Sequence, residues 1–163
     1  MSDLLEQFQA SGVFDGLAVH FAKTIETLAP GSDPRVLLGA AAAMRAPVFG
    51  HVAVDLERAH RDVRLEASQS IALPWPDPTK WRETLAAHPM VRPPQSERHT
   101  PLVLDGSLLY LDRYWDYQLR LVSALESRLI LNAGVINGSS LNESLDRLFG
   151  TDDALKIRIP DRS

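Results

Sequence analysis

The stretch that decides the fold is "PLVLDGSLLYLDRYWDYQLRLVSALESRLIL" (101–131). Two apolar runs flank Asp105-Gly106, a pair suited to a tight primed turn, so the first part predicts a β-hairpin. A long helix is expected from Asp112 to Leu131, and it opens with Tyr114, Trp115 and Tyr117 close behind Tyr110. At about 100° per residue, Tyr117, Leu121, Tyr114, Leu125, Leu129 and Val122 form one apolar arc, which Trp115, Leu119 and Ile130 widen. The polar arc is narrow: Arg113, Asp116, Arg120, Ser123 and Ser127. A surface helix usually buries a stripe little wider than about 100°, and this arc is about twice that. Either the helix is central in its own domain, or the edge carrying Trp115 and Leu119 meets something outside. A stacking surface for nucleic acid fits poorly, because Arg113 and Arg120 are countered by Asp112 and Asp116.

Outward from that stretch, the chain punctuates itself into short helices. "MSDLLEQFQASG" (1–12) reads as a helix capped by Ser2 or Asp3 and stopped near Gly12. In "DGLAVHFAKTIETLAPG" (15–31), Leu17, Phe21, Ile25 and Leu28 recur at helical spacing before Pro30-Gly31. "SDPRVLLGAAAAMRAP" (32–47) has the clearest limits, with Ser32 or Asp33 as cap, Pro34 in the first turn and Pro47 beyond the end. Nearly every position over 36–44 is apolar or small, which predicts a helix buried on most sides. "GHVAVDLERAHRDVRLEAS" (50–68) begins with a β-like piece and continues as a polar helix. Seven of the eleven prolines fall between Pro74 and Pro101, so that interval reads as irregular connection around one short helix at 79–87. "NAGVINGSS" (132–140) is a loop. "SLNESLDRLFG" (140–150) is a last helix, with Ser140 and Glu143 in capping-box spacing and Gly150 as stop. The resulting expectation is a mainly α domain with minor β: an orthogonal helical bundle, winged-helix-like, with one small hairpin. Its parts are a helical portion (1–73), a proline-rich connection (74–101), the hairpin with its helices (102–150) and a tail (151–163).

Composition narrows the function classes. The 163 residues contain no cysteine and carry a net charge of −4. Disulfides, thiol nucleophiles and zinc–thiolate sites are therefore excluded, and a duplex-binding module, which needs clustered Lys and Arg, is disfavoured. The acidic N-terminus lacks the pattern of a signal peptide, and no apolar run suits a membrane span, so a cytoplasmic location is expected. No phosphate-loop or nucleophile-elbow pattern occurs. Glu57, His60 and Asp62 share a potential metal-binding edge, but a solvated polar face explains them better. His51 in "FGHVAV" suits a turn-fixing hydrogen bond better than a ligand role. No catalytic, cofactor-binding or metal-binding residue is assigned. The partner-interface candidates are Trp75, held between Pro74 and Pro76 on a stiff loop, together with Trp115, Leu119 and Ile130.

"GHVAVDL", the proline-rich interval, "TPLVLDGSLLYLDRYWDYQLRLVSAL" and "SLDRLFG", in this order and spacing over about residues 17–150, resemble the N-terminal region of the RecD family, the alpha subunit of exodeoxyribonuclease V. "TPLVLDGSLLYLDRYW" is the most specific piece. Gln118 departs from the family, which often has glutamate there, and so does the tail "ALKIRIPDRS". The resemblance implies a docking module that holds a helicase motor onto the RecC subunit of RecBCD, with RecB in the same complex and DNA met only indirectly. It also implies that ATP and Mg²⁺ serve the motor domains and not this stretch. A winged-helix-like DNA-binding module is the alternative, and an unrecognised enzyme a third reading.

Overall fold

The computed structural model describes residues 3–66 and 73–131, with side chains in 3–63 and 73–129, and beyond these only residues 143, 144 and 147, which are helical. The expected loop at 132–140, most of the closing helix and the tail lie outside the described residues. The chain divides into two units, Met1–Leu119 and Arg120–Ser163.

The first unit is organised around α3 (Pro34–Arg45), every residue of which from Val36 to Ala43 is buried. Its start follows the sequence signal. Asp33 accepts the Arg35 backbone N–H at 2.8 Å, and its carboxylate holds the Arg35 guanidinium at 2.6 Å. That hydrogen bond with Arg35 outweighs partial burial and keeps the Asp33 carboxyl below the usual carboxylate range. Asp33→Ala should therefore cost about 1 kcal/mol, the usual worth of an N-cap side chain. Asp33→Asn should retain most of it, and urea titration separates the two.

Around α3 pack α1 (Asp3–Ala10), α2 (Gly16–Leu28) and α5 (Pro78–Ala86). Helix α2 buries Ala18, Val19, Ala22 and Ile25. The helix is where the spacing of its apolar residues placed it; of these Ile25 is buried, and Leu17 and Leu28 are 57% and 58% exposed. Two alanines on the buried face of α2 and four on α3 let neighbouring helices approach closely, so small residues make the contact. Gly39 does the same toward the sheet. A Cβ there would lie 3.0 Å from Leu85 Cδ2 and 3.2 Å from Leu109 Cδ2, so α3 meets α5 and the sheet where one of its residues has no side chain.

The sheet has the order β1-β4-β3-β2. Strands β3 (Leu102–Asp105) and β4 (Leu108–Leu111) form the expected hairpin, antiparallel with Asp105 opposite Leu108. Gly106 has φ +59° and, among the described residues, no non-glycine residue has positive φ, which is the pattern of a type II′ turn at Gly106-Ser107. The β-like piece is β1 (Ala53–Asp55), antiparallel to β4. A second addition was not legible: β2 (Val91–Arg92), only two residues long, runs parallel to β3. Strand alternation sends Leu102, Leu104, Leu109 and Leu111 into the main core. Val103 and Tyr110 point the other way, into a small second cluster with Trp115. The polar segment α4 (Ala59–Glu66) follows β1 as expected. Helix α6 (Asp112–Leu131) leaves β4 without a loop, its first residue anchored by Asp112 N–H to Pro101 C=O at 3.0 Å.

Candidate interaction surface

The four interface candidates have different surroundings. Trp115 is 7% exposed, with its ring edge-on to Tyr110 at 5.1 Å. It closes the outer face of the sheet, and its Nε1 is buried without a hydrogen-bond partner among the described residues. Trp75 packs against the main core, edge-on to Phe8 at 4.6 Å and 6.0 Å from Trp81. Trp75 is half-buried: the sequence had left both directions open, and the side chain packs on the core while also lining a groove. Leu119 is 49% exposed. The side chain of Ile130 lies outside those described.

Helix α6 carries a run of exposed apolar side chains. In the first unit Tyr117 accompanies Leu119 at 57% exposure. In the second unit Leu121, Val122, Leu125 and Leu129 are exposed by 45% to 72%. Their spacing of three and four residues puts them on one side of the helix. Gln118 engages Tyr110: burial raises the pKa of that phenol, and the hydrogen bond with Gln118 pulls it the other way. That position is thus used here by a neutral amide.

Two polar constellations escaped the sequence. Arg92, whose side chain is 11% exposed, reaches Asp112 at 2.7 Å and Ser96 C=O at 3.2 Å, and so ties the proline-rich connection to the start of α6. His88 and Ser32, 56 positions apart, meet at 2.9 Å. His88 Nδ1 accepts the Met90 N–H at 3.3 Å, which places the proton of the neutral ring on Nε2, donating to Ser32 Oγ. Ser32 in turn donates to Ala29 C=O at 2.6 Å. The serine proton is directed to a carbonyl and the imidazole acts as donor, so the pair is a clasp between the α2–α3 turn and the end of α5, and not an activated nucleophile. Burial lowers the His88 pKa from 6.5. A histidine favoured neutral in the folded state contributes stability above its unfolded pKa and loses that contribution as pH falls below about 6.5. Thermal unfolding between pH 7.5 and 5 should show this loss, and His88→Asn should flatten that part of the profile.

Of the suspected metal edge, Glu57 and His60 are exposed and Asp62 half-buried. Among the described residues no group of three or more His, Asp or Glu is placed to hold a metal ion. His51 donates its backbone N–H to Ala46 C=O at 3.0 Å across the turn at Gly50. A groove of about 570 Å³ opens between α3, β1 and α4, with Ala42, Val54, Val63 and Trp75 among its lining residues. Among the described residues, no helix is long and apolar enough to cross a membrane.

The family described as "RecBCD enzyme subunit RecD, N-terminal domain" matches residues 10–110, from the end of α1 to β4. The RecBCD enzyme subunit RecD of Mycobacterium tuberculosis H37Rv is 39% identical over 114 residues, which is 70% of this chain and 18% of that protein. The protein of the same name from Mycolicibacterium smegmatis is 37% identical over 147 residues, 86% of this chain and 24% of that protein. The chain spans about a fifth of the length of these curated relatives. With the match running through α2, α3, α5 and the whole sheet, this chain belongs to the RecD family, at its N-terminal domain.

Proposed function

We propose that this domain is a non-catalytic docking module, which attaches a RecD-type helicase subunit to the RecC subunit of a RecBCD complex. One observation carries the reading: Leu121, Val122, Leu125 and Leu129 stand exposed on one side of α6. A contiguous apolar stripe on a soluble surface marks an interaction site, and the relatives are named as subunits of RecBCD. On this reading ATP and Mg²⁺ are used by the motor part of the subunit, and DNA is met through that motor. The domain works at the site of the complex, in the cytoplasm.

The winged-helix-like alternative has less support. Strand β4 has neighbours on both sides, β1 and β3, so the hairpin is built into the sheet and does not stand out as a wing. In α3 the positions between Arg35 and Met44 are buried, and such a helix presents no side chains to base edges. The test is co-purification of this chain with the cognate RecC subunit, beside an ATPase assay and a salt-dependent DNA-binding assay of the chain alone. RecC capture without ATP turnover or DNA affinity is the expected outcome. DNA binding at physiological salt without RecC capture would overturn the reading.

A further inference from the structure

Among the described residues strand β1 has a neighbour on one side only, because the order of the sheet is β1-β4-β3-β2. Leu56 N–H donates to Ser107 C=O at 2.9 Å, directly after Val54 has paired with Leu109. In an antiparallel ladder, successive residues turn their backbone groups to opposite sides, so this bond sets the phase. Val54, like Leu56, faces β4. Ala53 N–H, Ala53 C=O and Asp55 N–H therefore point away from the sheet, while Asp55 C=O takes the Arg58 N–H at 3.1 Å. Beside this edge runs the groove of about 570 Å³, with Val54 and Val63 in its apolar lining. At its rim is Arg58, whose side chain is 70% exposed and whose Nε stands 3.7 Å from Asp55, beyond hydrogen-bond reach. Just before the strand, Val48, Phe49 and Val52 are exposed by 67%, 43% and 52%.

We propose that the outer edge of β1 takes up an extended segment of a partner protein as a further strand, apolar at alternate positions and carrying a carboxylate that meets Arg58. The backbone donors and acceptor along the edge are spaced for another extended backbone. Every second side chain of such a segment enters the groove. A loosely held, exposed guanidinium is complementary to a carboxylate, which it can bind in bidentate fashion. Only three residues form β1, and the Arg58 N–H closes its far end, so the added ladder is short and the groove supplies the side-chain specificity. The inference rests on the docking reading for the existence of a partner, and it uses a different surface from the α6 stripe.

Hydrogen exchange of the whole chain, with and without the RecC subunit as probe, tests it. In the free chain Val54 and Leu56 amides should exchange slowly and those of Ala53 and Asp55 fast. RecC should slow Ala53 and Asp55 by about tenfold or more. Ala53→Pro deletes only the outward donor and should weaken RecC binding by about fivefold, the usual worth of one hydrogen bond. A complex in which the Ala53 and Asp55 amides exchange as in the free chain overturns this inference and leaves docking standing. Slow exchange of both amides before RecC is added overturns it as well. If no complex forms, the docking reading fails together with it.

Discussion

Replacing Trp81 by alanine is expected to remove about 3–5 kcal/mol of folding stability, the range for deleting a buried tryptophan. Trp81 is 1% exposed, the largest of the fully buried side chains. Its Nε1 donates to Arg35 C=O at 2.7 Å, which fixes α5 against the first turn of α3. Its ring continues a series through Trp75 and Phe8 to Phe14, whose ring stacks on Phe8 at 5.5 Å. The loss therefore opens a cavity beside Trp75 at the junction of α3 and α5. A domain of this size is stable by about 5–15 kcal/mol, so the variant should lose a large share of its margin. In urea, the midpoint should fall while the slope stays unchanged. Trp81→Phe keeps most of the ring and gives up the N–H, and should cost clearly less than the alanine variant. A loss below about 1 kcal/mol for Trp81→Ala would mean that the junction of α3 and α5 is not the centre of the core.

The elements that proved legible are those whose signals are local. Asp33-Pro34 and the alanine run located α3, and Asp105-Gly106 between apolar runs located the hairpin and the start of α6. What escaped depends on partners distant in sequence. Nothing in Val91-Arg92 says strand until β3 lies beside it. The clasp between Ser32 and His88 joins residues 56 positions apart. In α2, Leu17 and Leu28 share the helical spacing of Ile25 yet stand exposed, and Ala18 and Ala22 are buried instead. The tryptophans teach the same lesson. The sequence marks Trp75 and Trp115 as anchors, but only the packing shows that Trp115 is enclosed against Tyr110 while Trp75 rests on Phe8 and still borders the groove. The excess apolar girth of α6 was readable from the sequence alone, whereas the residues that carry it outward, Leu121 to Leu129, were not distinguishable from those that turn inward.

The double substitution Leu121→Asp with Leu125→Asp should abolish RecC capture while the chain stays folded. Both side chains are exposed, by 59% and 50%, so no core contact is lost. The folding cost is limited to the poorer helix propensity of aspartate, about 1 kcal/mol for the pair. The binding cost is much larger. A carboxylate buried unpaired at an apolar interface costs several kcal/mol, and a central apolar anchor is itself worth about 2 kcal/mol. Affinity should fall more than about 100-fold, which is ample to lose the subunit in co-purification. Leu28→Asp on α2, at an equally exposed position of 58%, is the control for added charge and should bind as the parent does. The substitution is informative because Trp115→Asp is not: with its indole 7% exposed against Tyr110, Trp115 would couple any loss of binding to a loss of packing. Binding of the double variant at parental affinity would remove the α6 stripe from the interface, whereas unfolding detected by circular dichroism would return its leucines to a core.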